Sequence, residues 1–126
     1  MLSFAEEIFL LALDDKQGVI KPLPVSALDY ALAGALLMDL ALQDRIDTDL
    51  TSLSVTNTKP TGDPILDDTL RNLQQKPEPQ PASYWLKYFA DQSKRIQERV
   101  LARLIHKGIL KQENRRILWV LSLIHI

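Results

Sequence analysis

The sequence predicts a mainly α-helical fold: a compact helical domain around a central apolar helix, with small peripheral β-hairpins. Two observations predict it. Apolar residues recur at helical spacing in segments that begin with recognisable capping signals, and the segments between them are rich in Thr, Ser, Gly and Pro. The 126 residues, 46% apolar and 25% charged, have the composition of one globular domain over 1–126.

The first helix is predicted from Ser3 to about Leu13. Ser3 is followed three residues later by Glu6, the spacing of a capping box in which each side chain satisfies the other residue's free backbone N–H. Beyond this helix, Val19 and Ile20 favour a short strand.

The second helix is predicted from Ser26 to about Gln43, again with an acidic residue, Asp29, at the third position. It is apolar on nearly every face, which is typical of a helix buried at the centre of a domain. The segment 45–56 alternates apolar residues with Thr and Ser, so it favours a small hairpin.

The third helix is predicted to start at Asp63, because Pro64 suits the first helical position, and to end near Leu73. A proline-rich loop follows at 76–81.

The next helical pattern starts with Ser83 as the cap and continues to Gly108, with a break near 90–93. Gly108 is suited to the left-handed conformation that ends helices. Polar residues in the middle of 109–120 favour a second hairpin.

Composition excludes several classes of function. There are no cysteines and only two histidines, which leaves no pattern for a metal site, and no nucleophile, base and orienting group are spaced for catalysis. We therefore expect a non-enzymatic protein without cofactors. The apolar run 31–42 is interrupted by Asp39 and too short to span a membrane, and acidic residues stand where a signal peptide would be basic. A cytoplasmic location is expected.

Charge is divided unevenly along the chain although its net value is only −1. Residues 1–86 hold six Lys/Arg against thirteen Asp/Glu, giving −7, and residues 87–126 hold nine against three, giving +6. Arg95, Arg99, Arg103 and Lys107 are spaced by four, so they form a stripe on one helical face, with Lys94 beside it. The stripe indicates either a solvated face or contact with an anion.

Two further hypotheses follow from the charge pattern. The acidic N-terminal part suits a protein-interaction module that binds basic tails. A helix followed by a hairpin with Arg115 and Arg116 near its turn also suits a winged-helix nucleic-acid binder. The latter is not favoured, because a proline-rich loop stands where a helix-turn-helix is needed.

Five strings in order resemble the Golgi phosphoprotein 3 family. They are the segments 6–15 (EEIFLLALDD), 33–42 (AGALLMDLAL), 45–46 (RI), 60–67 (PTGDPILD) and 99–104 leading into 107–110 (KGIL). The resemblance implies a mostly helical domain with small hairpins. It also implies a peripheral-membrane adaptor, which in eukaryotic members binds phosphatidylinositol 4-phosphate on the cytosolic face of the Golgi and retains glycosyltransferases through their tails.

Family members bind the lipid through a tryptophan and three arginines, and these four positions correspond here to Pro24, Ala33, Lys94 and Gln97. Pro24 and Ala33 are substitutions that remove the original groups, and lysine or glutamine does not replace a bidentate arginine. The resemblance therefore implies an altered head-group site, and the candidate contacts for an anionic phospholipid or phosphoinositide surface are Lys94, Arg95, Gln97 and Arg99.

The ends of the chain also differ from the family pattern. The chain begins at the first domain helix, as expected of a prokaryotic member. Residues 121–126 do not resemble the family's continuation, so we expect a C-terminally truncated domain with a non-native tail and a poorly covered apolar face on 31–42. The oligomeric state is left open.

Overall fold

A computed structural model describes residues 2–14, 19–20, 27–49, 51–113 and 116–119. It shows helices and short strands, and the mainly α prediction is confirmed. The helices are α1 (Phe4–Ala12), α2 (Ala27–Leu42), α3 (Pro64–Leu73), α4 (Ala82–Ala90) and α5 (Ser93–His106). The strands are β1 (Leu13–Asp14), β2 (Val19–Ile20), β3 (Ile46–Thr48), β4 (Leu53–Val55), β5 (Leu110–Glu113) and β6 (Arg116–Trp119).

The strands form three separate antiparallel pairs, β1 with β2, β3 with β4, and β5 with β6. Both predicted hairpins are present, and the predicted strand at 19–20 pairs with residues 13–14. The proline-rich loop adds one isolated bridge, in which the Leu53 N–H donates to the Gln80 carbonyl at 2.8 Å. This bond holds the loop against the edge of the hairpin β3–β4.

Helix α2 is the centre of the fold, as its sequence predicts. It contacts the other four helices and β3. Leu32, Leu36 and Leu40 on this helix are at most 1% exposed, and its small residues let α4 approach closely, with the Leu86 side chain 3.9 Å from a Cβ built on Gly34. Burying leucines of this kind contributes about 1.5–3 kcal/mol each.

The predicted helix starts are mostly confirmed. Ser3 and Glu6 form the complete capping box of α1, and Asp63 caps α3 by accepting the N–H groups of Ile65 and Leu66. The prediction that Ser83 caps the next helix is wrong. That helix starts two residues earlier, with Pro81 at the cap position, since the Tyr84 N–H already donates to the Pro81 carbonyl at 3.0 Å.

The helical pattern that follows is broken as predicted, with Asp91 and Gln92 separating α4 from α5. Gly108 ends α5 in the left-handed conformation, with φ of 79°. The predicted cap Ser26 and the tail 121–126 lie outside the described residues.

Candidate functional site

Helix α5 carries the candidate site, because one side of it is buried and the other is basic. Ile96, Val100 and Leu104 are at most 7% exposed and fix the helix against the core. The helix contacts α1, α2 and β5. The basic residues of its outer side therefore have fixed positions relative to the neighbouring helices.

The four candidate head-group residues lie on two different faces of α5. Lys94 and Gln97 are three residues apart and share one face, whereas Arg95 and Arg99 are four apart and share another. The structure therefore does not bring all four together around one point.

Lys94 and Arg95 are exposed. Within the part of the chain that the structure describes, neither has a carboxylate within ion-pair distance. The Gln97 amide, by contrast, donates to the Ser93 hydroxyl oxygen at 2.9 Å. Lys94 and Arg95 are the candidates whose charges are open to an external anion.

Arg99 is paired across to α3. Its Nη1 lies 2.6 Å from Asp68 Oδ2, while Arg71 Nη1 lies 2.6 Å from Asp68 Oδ1. The hydrogen bond from Arg71 and then that from Arg99 hold the pKa of Asp68 below its usual range, against the effect of partial burial. One carboxylate thus bridges two guanidinium groups.

The C-terminal half of the predicted basic stripe is used inside the protein. Glu6 of α1 is 1% exposed, and its Oε2 lies 3.2 Å from Arg103 Nε and 2.9 Å from Lys107 Nζ. Its Oε1 accepts the Ser3 N–H at 2.9 Å. Arg103 also pairs with the α3 cap, Asp63. Together with Arg99, three of the four stripe residues are consequently paired with carboxylates of the protein itself.

Burial alone would raise the pKa of Glu6. The hydrogen bonds from the Ser3 N–H and from Lys107, together with the charge of Arg103, outweigh that effect and leave the pKa below its ordinary value. Asp39 of α2, which accepts the Phe4 N–H at 2.9 Å, behaves in the opposite way. Its burial raises the pKa above the ordinary value in spite of that hydrogen bond.

The remaining family lipid positions do not add to an open site. Ala33 has no solvent exposure and lies in the core of α2, so a head group at the surface cannot contact it. Pro24 lies outside the described residues.

The described residues contain neither a metal-binding cluster nor a membrane-spanning helix. No group of three or more His, Asp or Glu is arranged to hold a metal ion among them. Within the same ranges, no helix has the length and apolar character needed to cross a bilayer.

Sequence patterns indicate little about the partners of the stripe. Glu6 and Asp63 were expected as helix caps, and each of them, like Asp68, also binds a cation of the stripe. The sequence separations are 31 to 101 residues, so no local spacing marks these pairs. The nearest signal is the Asp68 and Arg71 pair, whose spacing of three is favourable on a helix.

Fold and site together define a mainly helical domain built on a central apolar helix, with a basic face on α5. The family model described as Golgi phosphoprotein 3 (GPP34) matches residues 4–124. The chain belongs to this family.

A curated relative is the vacuolar protein sorting-associated protein 74 of Eremothecium gossypii. It is 28% identical over 133 aligned residues, which cover 89% of this chain. The chain spans about 40% of the length of that relative.

Proposed function

We propose that the chain is a peripheral-membrane adaptor domain that binds anionic phospholipid, with phosphatidylinositol 4-phosphate as the preferred lipid. The observation that carries the proposal is the exposed pair Lys94 and Arg95 on α5, without carboxylate partners among the described residues, in a member of this family. The setting would be the cytosolic face of an internal membrane, and enzymatic activity is not part of the proposal.

Charge attraction is the main source of affinity in this proposal. A basic residue near an anionic leaflet contributes about 1 kcal/mol, so two open cations and the +6 balance of residues 87–126 favour localisation. Lys94 binds a phosphate as a point charge, because it lacks the planar fork that gives arginine its bidentate geometry. Specificity for the head group then depends on Gln97, whose amide must exchange its bond to Ser93 for one to the lipid.

Co-sedimentation with liposomes tests the proposal. Vesicles containing phosphatidylinositol 4-phosphate are compared with vesicles matched in total charge by phosphatidylserine, and with DNA in the same buffer. We expect a preference for the phosphoinositide that Lys94→Glu reduces about tenfold. The matched control is Lys59→Glu, which makes the same charge change at an exposed position of the loop between β4 and α3.

The alternatives give different results. Equal binding to the phosphoinositide and phosphatidylserine vesicles, or equal effects of Lys94→Glu and Lys59→Glu, would show that the interaction is non-specific charge attraction. No vesicle binding would overturn the proposal and favour an adaptor for basic protein tails. Tighter binding to DNA would favour a nucleic-acid binder.

A further inference from the structure

A second basic feature lies on the other face of α5. It is a groove of about 270 Å³ between α3 and α5, closed at one end by the end of α4. We call it the α3–α5 groove. Its floor is apolar and formed by Ile65, Phe89 and Ile96, all at most 7% exposed. Its rim is polar, so a ligand in it meets charged groups above a rigid base.

The charges on the rim do not balance. Arg71, Arg95 and Arg99 line the groove together with one carboxylate, Asp68, which leaves a local charge of +2. The side-chain amides of the lining residues add uncharged donors; they belong to Asn72, Gln75 and Gln92. Lys94 and Gln97 do not line the groove, so it is separate from the family's head-group positions.

Asp68 indicates what kind of group the groove accepts. Its two oxygens each receive a guanidinium N–H at 2.6 Å, one from Arg71 and one from Arg99. Arginines held at this spacing are arranged for an oxyanion with two or more acceptor oxygens. These are exposed or half-exposed ion pairs, with Arg71 68% and Asp68 40% exposed, and such pairs contribute only about 0–1 kcal/mol. An external anion can therefore displace Asp68 from the arginines, or bind beside it, with little loss of free energy from these ion pairs.

Arg95 is the arginine of the groove that is not paired with Asp68. It stands one turn before Arg99 on the same face of α5, lines the groove, and has no carboxylate partner within the described ranges. A carboxylate carries one negative charge and two oxygens, which Arg71 and Arg99 already satisfy. A phosphate monoester carries about two negative charges and three free oxygens, which matches a +2 rim with three guanidinium groups.

We infer that the α3–α5 groove is a binding site for a phosphate monoester, held by Arg95 and Arg99 with Arg71, and that Asp68 occupies the site as an internal competitor when no ligand is bound. The inference goes beyond the proposed function, because the groove lies on a different face of α5 from Lys94 and only Arg95 is common to both. The phosphate could be carried by a soluble molecule or by a lipid head group, and the chemistry recognised is the same.

The test is an NMR titration of the full chain with glycerol phosphate, a soluble monoester. Dimethyl phosphate, a diester, and acetate serve as anion controls, and vesicles containing phosphatidylinositol 4-phosphate form the lipid arm. We expect saturable shifts of the Arg95 and Arg99 side-chain N–H signals with the monoester, at an affinity at least fivefold above that of the diester or acetate. Competition of glycerol phosphate with the vesicles identifies a lipid source, and its absence identifies a soluble one.

Variants distinguish the groove from general charge. Arg95→Ala is expected to weaken monoester binding at least fivefold, and Lys59→Ala, which removes one positive charge from an exposed position outside the groove, less than twofold. Asp68→Asn is expected to strengthen binding several-fold because it removes the competitor. Its matched control, Glu98→Gln, removes the same charge from an exposed position of α5 outside the groove and should leave the affinity unchanged.

The gain expected for Asp68→Asn keeps the inference testable even if Arg95→Ala lowers stability, and a thermal melt of each variant shows whether it is folded. Equal gains for Asp68→Asn and Glu98→Gln, or equal affinities for the monoester and the diester, would overturn the inference. Loss of vesicle binding in Lys94→Glu with monoester binding intact would separate the groove from the membrane function.

Discussion

A single carboxylate, Glu6, links α1 to the C-terminal end of α5. It accepts hydrogen bonds from Arg103 and Lys107, which lie 97 and 101 positions later in the chain. It also completes the capping box with Ser3. A buried carboxylate is costly unless all its acceptors are used. Here both oxygens are bonded, and no described buried side-chain polar atom is left without a partner.

At the residue scale, Glu6→Gln should lower the free energy of unfolding by about 3 kcal/mol, because it removes the counter-charge of Lys107 and one of the two carboxylates paired with Arg103. Urea denaturation followed by circular dichroism measures this. The control is Glu7→Gln, the same change at an exposed neighbour, which should stay within about 0.5 kcal/mol. Equal effects of the two substitutions would contradict a structural role for the buried pair.

The pH dependence of unfolding gives the same residue a second readout. The pKa of Glu6 is lowered on folding, so its contribution is present above its ordinary value of 4.5 and is lost as pH falls through the lowered pKa. Asp39 has a raised pKa and acts oppositely, since the folded state binds its proton more tightly. Glu6→Gln should therefore flatten the loss of stability in acid, whereas Asp39→Asn should steepen it.

At the element scale, replacement by alanine should have opposite effects on stability at Gly108, which follows α5, and at Gly34, which lies inside α2. Gly108 follows α5 with φ of 79°, and a Cβ added there meets no atom within 4 Å. Its requirement is therefore purely conformational. Gly34 lies inside α2 with ordinary helical geometry, and the nearest atom to an added Cβ is the Leu86 side chain at 3.9 Å, which is normal contact.

Gly108→Ala should consequently lower the free energy of unfolding by about 1 kcal/mol, the cost of the left-handed conformation for an L residue. Gly34→Ala should raise it by about 0.5–1 kcal/mol, because alanine is the better helix former. Thermal and urea denaturation of the two variants measure both signs. Destabilisation by Gly34→Ala would show that α2 and α4 pack more tightly than the 3.9 Å contact indicates.

At the scale of the whole molecule, α2 is central but not completely covered. Exposed or half-exposed residues recur along one of its faces, at 27, 31, 34, 38 and 42, and none of them is charged. Met38 is 58% and Leu42 68% exposed, and Tyr30 beside them is 44% exposed. A poorly covered apolar face on 31–42 was predicted from the sequence, and this stripe is that face. A contiguous apolar surface favours association.

The double substitution Met38→Gln with Leu42→Gln should reduce self-association of the chain, because it replaces exposed apolar surface and leaves the core intact. Size-exclusion chromatography with light scattering at increasing concentration measures this. The free energy of unfolding should change by less than about 1 kcal/mol. Leu40→Gln, at a position with no exposure, is the contrasting control and should lower it by about 3 kcal/mol or more. Unchanged light scattering of the double variant would contradict the role of the stripe.

Local signals were sufficient for most of the fold. The Ser3 and Glu6 spacing, Asp63 before Pro64, and Gly108 after a helical pattern each act within one turn of backbone, so their effects are present in the sequence itself. The start of α4 was misplaced by two residues because Ser83 has a side chain suited to capping, whereas the actual cap, Pro81, makes no side-chain hydrogen bond and is defined by the backbone bond from Tyr84.

The sequence by itself determined the helices, the central position of α2, the family, and the basic character of α5, because periodicity, caps and charge are local properties. Only the tertiary structure decided which of those basic residues are open. Arg103 and Lys107 are paired with Glu6, and Arg99 with Asp68, through contacts between helices far apart in the chain. Whether two charges form a pair depends on their distance in space. The spacing of four residues that defines the stripe in the sequence is the same for its paired and its unpaired members, so it does not distinguish them.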